Sequence, residues 1–231
     1  MIDYRNDRRF LVVVGIGLIL LLSGCLTITT EATVKSDGGL NEYYVELDMK
    51  DEVYNLFLQD SQEEGYDDVE AWARAQVTDG SVNVDNATID SGHTEREDGS
   101  HRVWVSISNV SPEVIGEQVE ATQETVTYRH EDPFDLEDQE TNNSETEFSE
   151  YKSQVELNYI VNMPGEIIES NADTISNDGT TAEWSYLLSS DPEDIYVQSE
   201  RPTGVLSDVT PLTPIPAVAA IILFTIAIAR R

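Results

Sequence analysis

The chain has 231 residues, of which 45 are Asp or Glu and 13 are Lys or Arg, so its formal net charge is −32. This balance argues against nucleic acid as a partner, because too few bases are present to neutralise a phosphate backbone. The single cysteine, Cys25, excludes an internal disulfide and a cysteine-rich zinc site. A hydrophobic content of 39% predicts a buried core and excludes disorder throughout the chain.

The acidic excess is typical of proteins that work in concentrated salt. In molar salt the Debye length falls to about 3 Å, so that repulsion among carboxylates is largely screened. The bases include few lysines, namely Lys35, Lys50 and Lys152. This composition resembles that of proteins from halophilic archaea. We therefore interpret the charge as an adaptation to the solvent rather than as a site for a cationic ligand.

The first apolar segment has the pattern of a lipoprotein signal peptide. Basic residues precede an apolar run of 13 residues at 10–22, which is short for a transmembrane helix but typical of a signal peptide. The run leads into four residues that resemble a lipobox: Leu22, Ser23, Gly24 and Cys25. The resemblance implies cleavage before Cys25 and a lipid on its thiol. An uncleaved signal anchor and a buried free cysteine are the alternatives.

The second apolar segment lies at the C-terminal end. Residues 209–229 form an uncharged stretch of 21 residues, and about 20 residues span a bilayer core. Arg230 and Arg231 follow, which favours a cytoplasmic C-terminus under the positive-inside rule. We therefore predict a transmembrane helix at 211–229. A buried C-terminal helix and a sorting tail that is later removed are the alternatives.

These two segments define the expected domain organisation and a location at the cell membrane. The large domain is expected outside the cell. Without the terminal segments it contains 43 acidic and 8 basic residues, which gives a net charge of about −35. A single lipid chain binds a membrane only marginally, whereas a second anchor makes attachment effectively permanent. The predicted parts are a signal peptide at 1–24, an extracellular domain at 25–189, a proline-containing stalk at 190–210, the transmembrane helix at 211–229 and a cytoplasmic tail at 230–231.

The extracellular domain is predicted to have an α+β fold. Apolar residues alternate over 28–34 and 43–49 around an Asp-Gly-Gly turn at 37–39, which predicts a hairpin. A helical pattern over 51–76, interrupted by Gly65, predicts a helix pair after this hairpin. Further strands are expected near 82–84, 103–107, 124–130, 151–162 and 180–188, with a short helix from Ser111. The expected architecture is an antiparallel sheet with a helix pair.

The segment 131–150 is predicted to be a solvated loop. It holds nine acidic residues and no basic residue. A calcium site is the alternative, because carboxylates are good calcium ligands, but the Asp-x-Asp-x-Asp-Gly spacing is missing. We assign no metal ligand and no cofactor.

Catalytic patterns are missing from the sequence. No Gly-x-Ser-x-Gly, His-Glu-x-x-His or phosphate-loop motif occurs. His93, His101 and His130 lie in polar stretches without ligand spacing, so we expect all three to be exposed. We therefore expect a non-catalytic protein. The candidate N-glycosylation sites are Asn86, Asn109 and Asn142, of which Asn109 is weakened by the nearby Pro112.

The region from residue 162 to 184 resembles the LppM-like lipoprotein family. A strand ends in Pro164-Gly165, the chain continues to Ser170-Asn171, and Gly179-Thr180 leads into a strand with Trp184. The lipobox, the early hairpin, the helix pair and the C-terminal helix extend the resemblance to most of the chain, whereas the acidic segment departs from it. The resemblance implies a membrane-anchored α+β domain that binds lipid or glycolipid, and it carries over no catalytic residues.

Two functions are consistent with these patterns. The first is a surface lipoprotein that binds a lipid or other amphiphile in a cleft between the helices and the sheet. Its candidate lining residues are Trp72, Trp104 and Trp184, although ordinary core packing is the simpler interpretation for each. The second is a structural or interaction module of the cell envelope, an accessory subunit beside a membrane protein, which would expose a contiguous apolar patch.

Overall fold

The computed structural model describes residues 26–79, 87–109, 111, 117–131, 155–190 and 194–202. The predicted signal peptide, the lipobox with Cys25, the transmembrane helix and nearly all of the acidic segment lie outside the described residues, as do Asn86, Asn142 and the short helix after Ser111. In the part of the chain that is described, neither helix has the length and apolar character needed to cross a bilayer. The membrane anchors therefore stay predictions.

The described residues form eleven strands and two helices, which confirms a mostly β member of the α+β class. In chain order they are β1 (Leu26–Val34), β2 (Leu40–Lys50), α1 (Asp51–Glu63), α2 (Val69–Asp79), β3 (Thr88–Glu95), β4 (Ser100–Ser108), β5 (Glu117–Ala121), β6 (Thr125–His130), β7 (Val155–Asn162), β8 (Ile167–Ser170), β9 (Thr174–Ile175), β10 (Thr181–Leu187) and β11 (Ile195–Glu200).

The strands form two sheets. The larger has seven strands in the order β3-β4-β2-β1-β7-β10-β9, and the smaller has four in the order β5-β6-β11-β8. Strands β1 and β7 pair in parallel, with Leu26 opposite Val155 and Thr33 opposite Asn162, whereas the other described pairs are antiparallel. The prediction of an antiparallel sheet is therefore wrong at this pair. Alternation of apolar residues sets the buried face of a strand but not the direction of its partner.

The helix pair predicted after the first hairpin is confirmed. Helix α1 begins directly after β2, and Asp51 and Glu52 in its first turn face the positive end of the helix dipole. Gly65, at a φ of +95°, separates the helices in a conformation that favours glycine. Asp68 precedes α2 and accepts a hydrogen bond from the Ala71 N–H at 2.8 Å, as an N-cap residue does.

One face of the seven-stranded sheet, here called the inner face, carries the hydrophobic core. Ile28 lies opposite Leu47, and Leu47 lies opposite Val103, so apolar side chains line up across three strands. At the β2–β4 end of this face, the side chains of Phe57 and Trp72 from the helices cover Leu47 and Val103. Burial of each such large side chain stabilises the fold by about 1.5–3 kcal/mol.

The smaller sheet covers the other part of the inner face. Tyr159 and Trp184 of the larger sheet pack against Tyr128 and Val197 of the smaller one. Trp72 and Trp184 are each 2% exposed, so both belong to the core. The helices and the smaller sheet therefore lie side by side on one face of the larger sheet.

The bend predicted at Pro164-Gly165 is confirmed between β7 and β8, where the chain passes from the larger to the smaller sheet. A Cβ atom at Gly165 would lie 2.0 Å from the carbonyl oxygen of Glu200. Only glycine therefore allows the bend to approach the end of β11 this closely.

Candidate functional site

The opposite face of the seven-stranded sheet, here called the outer face, is the candidate binding surface. The core residues of the described part come from the inner face, the helices and the smaller sheet. Side chains on β2 and β4 that alternate with the core residues point to the outer face: Glu42, Tyr44, Glu46, Asp48, Arg102, Trp104 and Ser106. Most of these are half-buried.

An aromatic pair lies at the centre of β2 and β4 on this face. The ring centroids of Tyr44 and Trp104 are 6.0 Å apart, and the ring planes differ by 25°. Trp104 lies opposite Gly92 of the edge strand β3. A Cβ atom on Gly92 would lie 2.7 Å from three atoms of the indole, so the indole rests directly on the backbone of β3. Glycine at this position permits a flat aromatic surface on the sheet.

Charged groups hold the aromatic pair in place. The Tyr44 hydroxyl donates a hydrogen bond to Glu46 Oε2 at 2.6 Å, and Arg102 Nε lies 3.0 Å from Glu46 Oε1. Burial and the hydrogen bond to Glu46 raise the pKa of Tyr44 above its usual value. Arg96 and Asp48 form a second ion pair at 2.5 Å. The outer face therefore presents the aromatic surface of Tyr44 and Trp104, bordered by carboxylate and guanidinium groups.

Two of the three histidines are buried, so the prediction of exposure is right for His93 and wrong for the others. His101 is 6% exposed and His130 is 2% exposed. Both occupy inward positions, since His101 alternates with Val103 and Val105, and His130 alternates with Val126 and Tyr128. The alternation was visible in the sequence, but the polar residues between these positions led to the prediction that the histidines are exposed.

His93 and His101 lie together at the inner edge of the larger sheet, beside the start of α1. His93 Nε2 is 3.0 Å from His101 Nδ1, and His101 Nε2 is 3.2 Å from Asp51 Oδ1. The Tyr54 ring stacks on both imidazoles, with its centroid 3.9 Å from that of His101 and 4.8 Å from that of His93. Burial, followed by the charges of Asp68, Glu70 and Glu95, raises the pKa of Tyr54.

His130 belongs to a buried polar network between the two sheets. Its Nδ1 atom lies 2.8 Å from the Tyr159 hydroxyl oxygen, which lies 2.6 Å from the hydroxyl oxygen of Tyr128. Burial lowers the pKa of His130 to about 4, so its imidazole is neutral at neutral pH. The contact between His130 and Tyr159 therefore joins the smaller sheet to the larger one through neutral groups.

Of the predicted modification sites, only Asn109 is described. It is exposed at the end of β4, at a φ of +58°, and its Oδ1 accepts a hydrogen bond from Lys35 Nζ at 3.3 Å. Its exposure is consistent with modification, which stays a prediction. Among the described side chains, no group of three or more His, Cys, Asp or Glu residues converges as a metal site.

The described residues define an α+β domain whose main sheet has one covered face and one face that no described element covers. No protein-family model matches the chain. An uncharacterised protein of Archaeoglobus fulgidus is 27% identical to it over 208 residues, which cover 85% of this chain and 88% of the relative. The folded domain of LppM from Mycobacterium tuberculosis, determined by NMR, is similar at a TM-score of 0.44 and 12% identity over 79% of this chain and 93% of that one. The likeness to LppM is one of coarse fold and shows nothing about ligands.

Proposed function

We propose that the chain is a membrane-anchored surface lipoprotein whose external domain is a non-catalytic binding module. Attachment is through a lipid on Cys25 and through the helix at 211–229, with the C-terminus in the cytoplasm. The basic-apolar-lipobox order at one end and the uncharged stretch followed by Arg230-Arg231 at the other support this topology. The charge of −32 suits a domain that faces concentrated salt.

The ligand that we propose is an amphiphile with a sugar headgroup, and the Tyr44–Trp104 pair on the outer face carries this proposal. The negative face of an aromatic ring attracts the polarised C–H groups on one side of a pyranose. Carboxylates such as Glu42 and Asp48 accept hydrogen bonds from sugar hydroxyl groups. Trp72 and Trp184 are core residues, so Trp104 is the tryptophan that remains available to a ligand. The site thus lies on the outer face rather than between the helices and the sheet.

The alternative is an accessory subunit that binds a membrane protein through an exposed apolar surface. Large exposed apolar side chains in the described part lie on four different elements, α1, β8, β9 and β10, and are Leu56, Ile168, Ile175 and Leu187. The aromatic pair offers a more concentrated contact surface than these scattered residues. We therefore place amphiphile binding first.

Titration of a fluorescent glycolipid in mixed micelles with the detergent-solubilised full-length protein tests the ligand class. Vesicle flotation would not, because the two proposed anchors would carry the chain into any bilayer regardless of its headgroups. We expect the chain to bind the glycolipid and not a phospholipid of the same tail length. Trp104→Ala should lower the affinity for the glycolipid by about tenfold or more, which is the effect of losing one aromatic stacking contact.

Leu187→Ala is the matched control, since Leu187 is 49% exposed and lies on the outer face of β10, away from the aromatic pair. It should leave glycolipid binding unchanged. Equal binding by wild-type chain and Trp104→Ala would reject the outer face as the site. Mass spectrometry of the same preparation tests the anchors: an intact Met1 would reject lipidation of Cys25, independently of the binding result.

A further inference from the structure

The pair of imidazoles at the inner edge of the larger sheet has an arrangement that the proposed function does not use. His93 comes from β3 and His101 from β4, and the facing nitrogens, Nε2 and Nδ1, are 3.0 Å apart. The two rings are close to parallel, with an interplanar angle of 16°. Two imidazole nitrogens therefore face each other at hydrogen-bonding distance, from adjacent strands that fix their spacing.

Asp51 determines which nitrogen of His101 is available. The contact between His101 Nε2 and Asp51 Oδ1 at 3.2 Å places the ring proton on Nε2, because a carboxylate accepts hydrogen bonds. In the neutral tautomer that carries this proton, the Nδ1 atom of His101 keeps its lone pair. A histidine that binds a metal commonly donates its other N–H to a carboxylate in this way, which orients the ring and raises its basicity.

The surroundings favour a cation and allow it to enter. His93 is exposed, so solvent reaches the pair from the edge of the sheet. Glu95 lies opposite His101 in the strand register, and Asp51 lies at its other nitrogen. Asp68 and Glu70 interact electrostatically with the neighbouring Tyr54. Acidic side chains from α1, from β3 and from the start of α2 therefore lie around the cluster. The Tyr54 ring covers both imidazoles and restricts their rotation.

We propose that His93 and His101 form an exchangeable binding site for a divalent transition-metal ion of the imidazole-binding group, with Cu²⁺ favoured over Zn²⁺. Each nitrogen contributes a lone pair to the metal, and His93 carries its ring proton on Nδ1 in the bound state. Water completes the coordination sphere, because the described residues supply two imidazoles and no third converging ligand. Imidazole ligands suit Cu²⁺ and Zn²⁺, and Cu²⁺ forms the stronger complexes in the Irving–Williams order.

The geometry needs only a small adjustment for the ion. Two nitrogens that each lie about 2.0–2.1 Å from one ion are about 2.9 Å apart at a 90° angle and about 3.3 Å apart at a tetrahedral angle, so the observed 3.0 Å already suits an ion. The His93 ring must turn so that its lone pair aims at the ion rather than at His101. His93 is on the edge strand and exposed, and it can turn without repacking the core. His101, which is buried and tied to Asp51, provides the fixed half of the site.

The test is a titration of the full-length chain in detergent and molar KCl with Cu²⁺ and, separately, Zn²⁺. Calorimetry measures the affinity, and electron paramagnetic resonance of the Cu²⁺ sample reports nitrogen ligands. We expect one tight site per chain with coupling to two nitrogens. His93→Ala should remove that site, and because it changes an exposed residue the fold should persist, as circular dichroism would verify.

Asp51→Asn should keep both nitrogens but weaken the affinity by about 10- to 100-fold, the usual effect of losing such a carboxylate partner. Glu183→Gln, on an exposed residue of β10, is the control for ions held loosely by the acidic surface and should change nothing. The proposal is overturned if the wild-type chain binds neither ion at a discrete site, or if His93→Ala binds as tightly as the wild type. Either result would leave the pair as a hydrogen-bonded contact only.

Discussion

The indole of Trp104 lies directly on Gly92, close enough that a single added carbon would be 2.7 Å from the ring. This contact joins β4 to the edge strand β3 and sets the tilt of the indole on the outer face. The proposed sugar-binding surface therefore depends on a glycine that has no side chain to offer a ligand.

Replacement of Gly92 by alanine should displace Trp104 without unfolding the domain. The added Cβ forces the indole away from β3, because a contact of 2.7 Å is far inside van der Waals distance. We expect weaker glycolipid binding and a change in tryptophan fluorescence, with a loss of about 1–3 kcal/mol in the free energy of unfolding, as for overpacked sites. Thr94→Ala, at an exposed outer-face position on the same strand, should change neither signal.

Replacement of Gly165 by alanine should be far more damaging. The added Cβ would meet a backbone oxygen, that of Glu200, at 2.0 Å, and a backbone atom cannot rotate away as a side chain does. We expect a loss in the free energy of unfolding of more than about 4 kcal/mol, in the exceptional range for single substitutions. Denaturant titration measures it.

Gly39→Ala is the matched control for this substitution. A Cβ at Gly39 would lie 3.4 Å from Asp37 Oδ1, which is ordinary contact, and the stability should change by less than about 1 kcal/mol. Equal stabilities of the two variants would contradict the close approach of the bend to β11.

His130 should make the stability fall as the pH drops below about 6.5. Burial lowers its pKa from 6.5 to about 4 in the folded chain, so between these values the unfolded chain binds more protons than the folded one. The contribution of about 3 kcal/mol is complete above pH 6.5 and is lost as the pH falls toward 4, at about 1.36 kcal/mol for each pH unit. Denaturant titrations across this range measure it.

His130→Gln isolates this effect from the titration of the many carboxylates. Glutamine keeps an amide that can bond to the Tyr159 hydroxyl but carries no titrating proton. The variant should show a shallower decline between pH 6.5 and 4 than the wild type. A decline in His130→Gln parallel to that of the wild type would refute the assignment.

Added KCl should stabilise the domain. The net charge is −32, and raising the salt from about 0.1 M to about 1 M shortens the Debye length from about 10 Å to about 3 Å. Loss of carboxylate repulsion should outweigh the weakening of surface ion pairs such as Arg96–Asp48, which are typically worth under about 1 kcal/mol. Thermal melts in KCl and in choline chloride at equal ionic strength should rise together, and a flat or falling melting temperature would contradict adaptation to salt.

The sequence predicted the local features of this fold well. The Asp37-Gly38 turn forms as expected, with Gly38 at a φ of +90°, and the alternation around Val103 marks a strand with a buried face. These features depend on neighbours in sequence, which the pattern of residues records directly.

The features that the sequence did not predict depend on contacts between distant segments. The strands divide into two sheets because β6 pairs with β11. The sequence of neither strand identifies the other as its partner. The approach of Asp51 to His101 likewise requires the start of α1 to lie beside β4. Lipidation of Cys25 and the membrane helix are predictions from sequence alone and await their own tests.

The parallel pairing of β1 with β7 has a consequence for the order of folding. Among the described strands β1 is the first in the chain and the central one of the larger sheet, yet one of its two partners, β7, begins more than 100 residues later, at Val155. Pairing across so long a separation is slow, since the loop must close before its contacts form. The middle of the sheet therefore closes late, only once residues 155–162 have joined the chain.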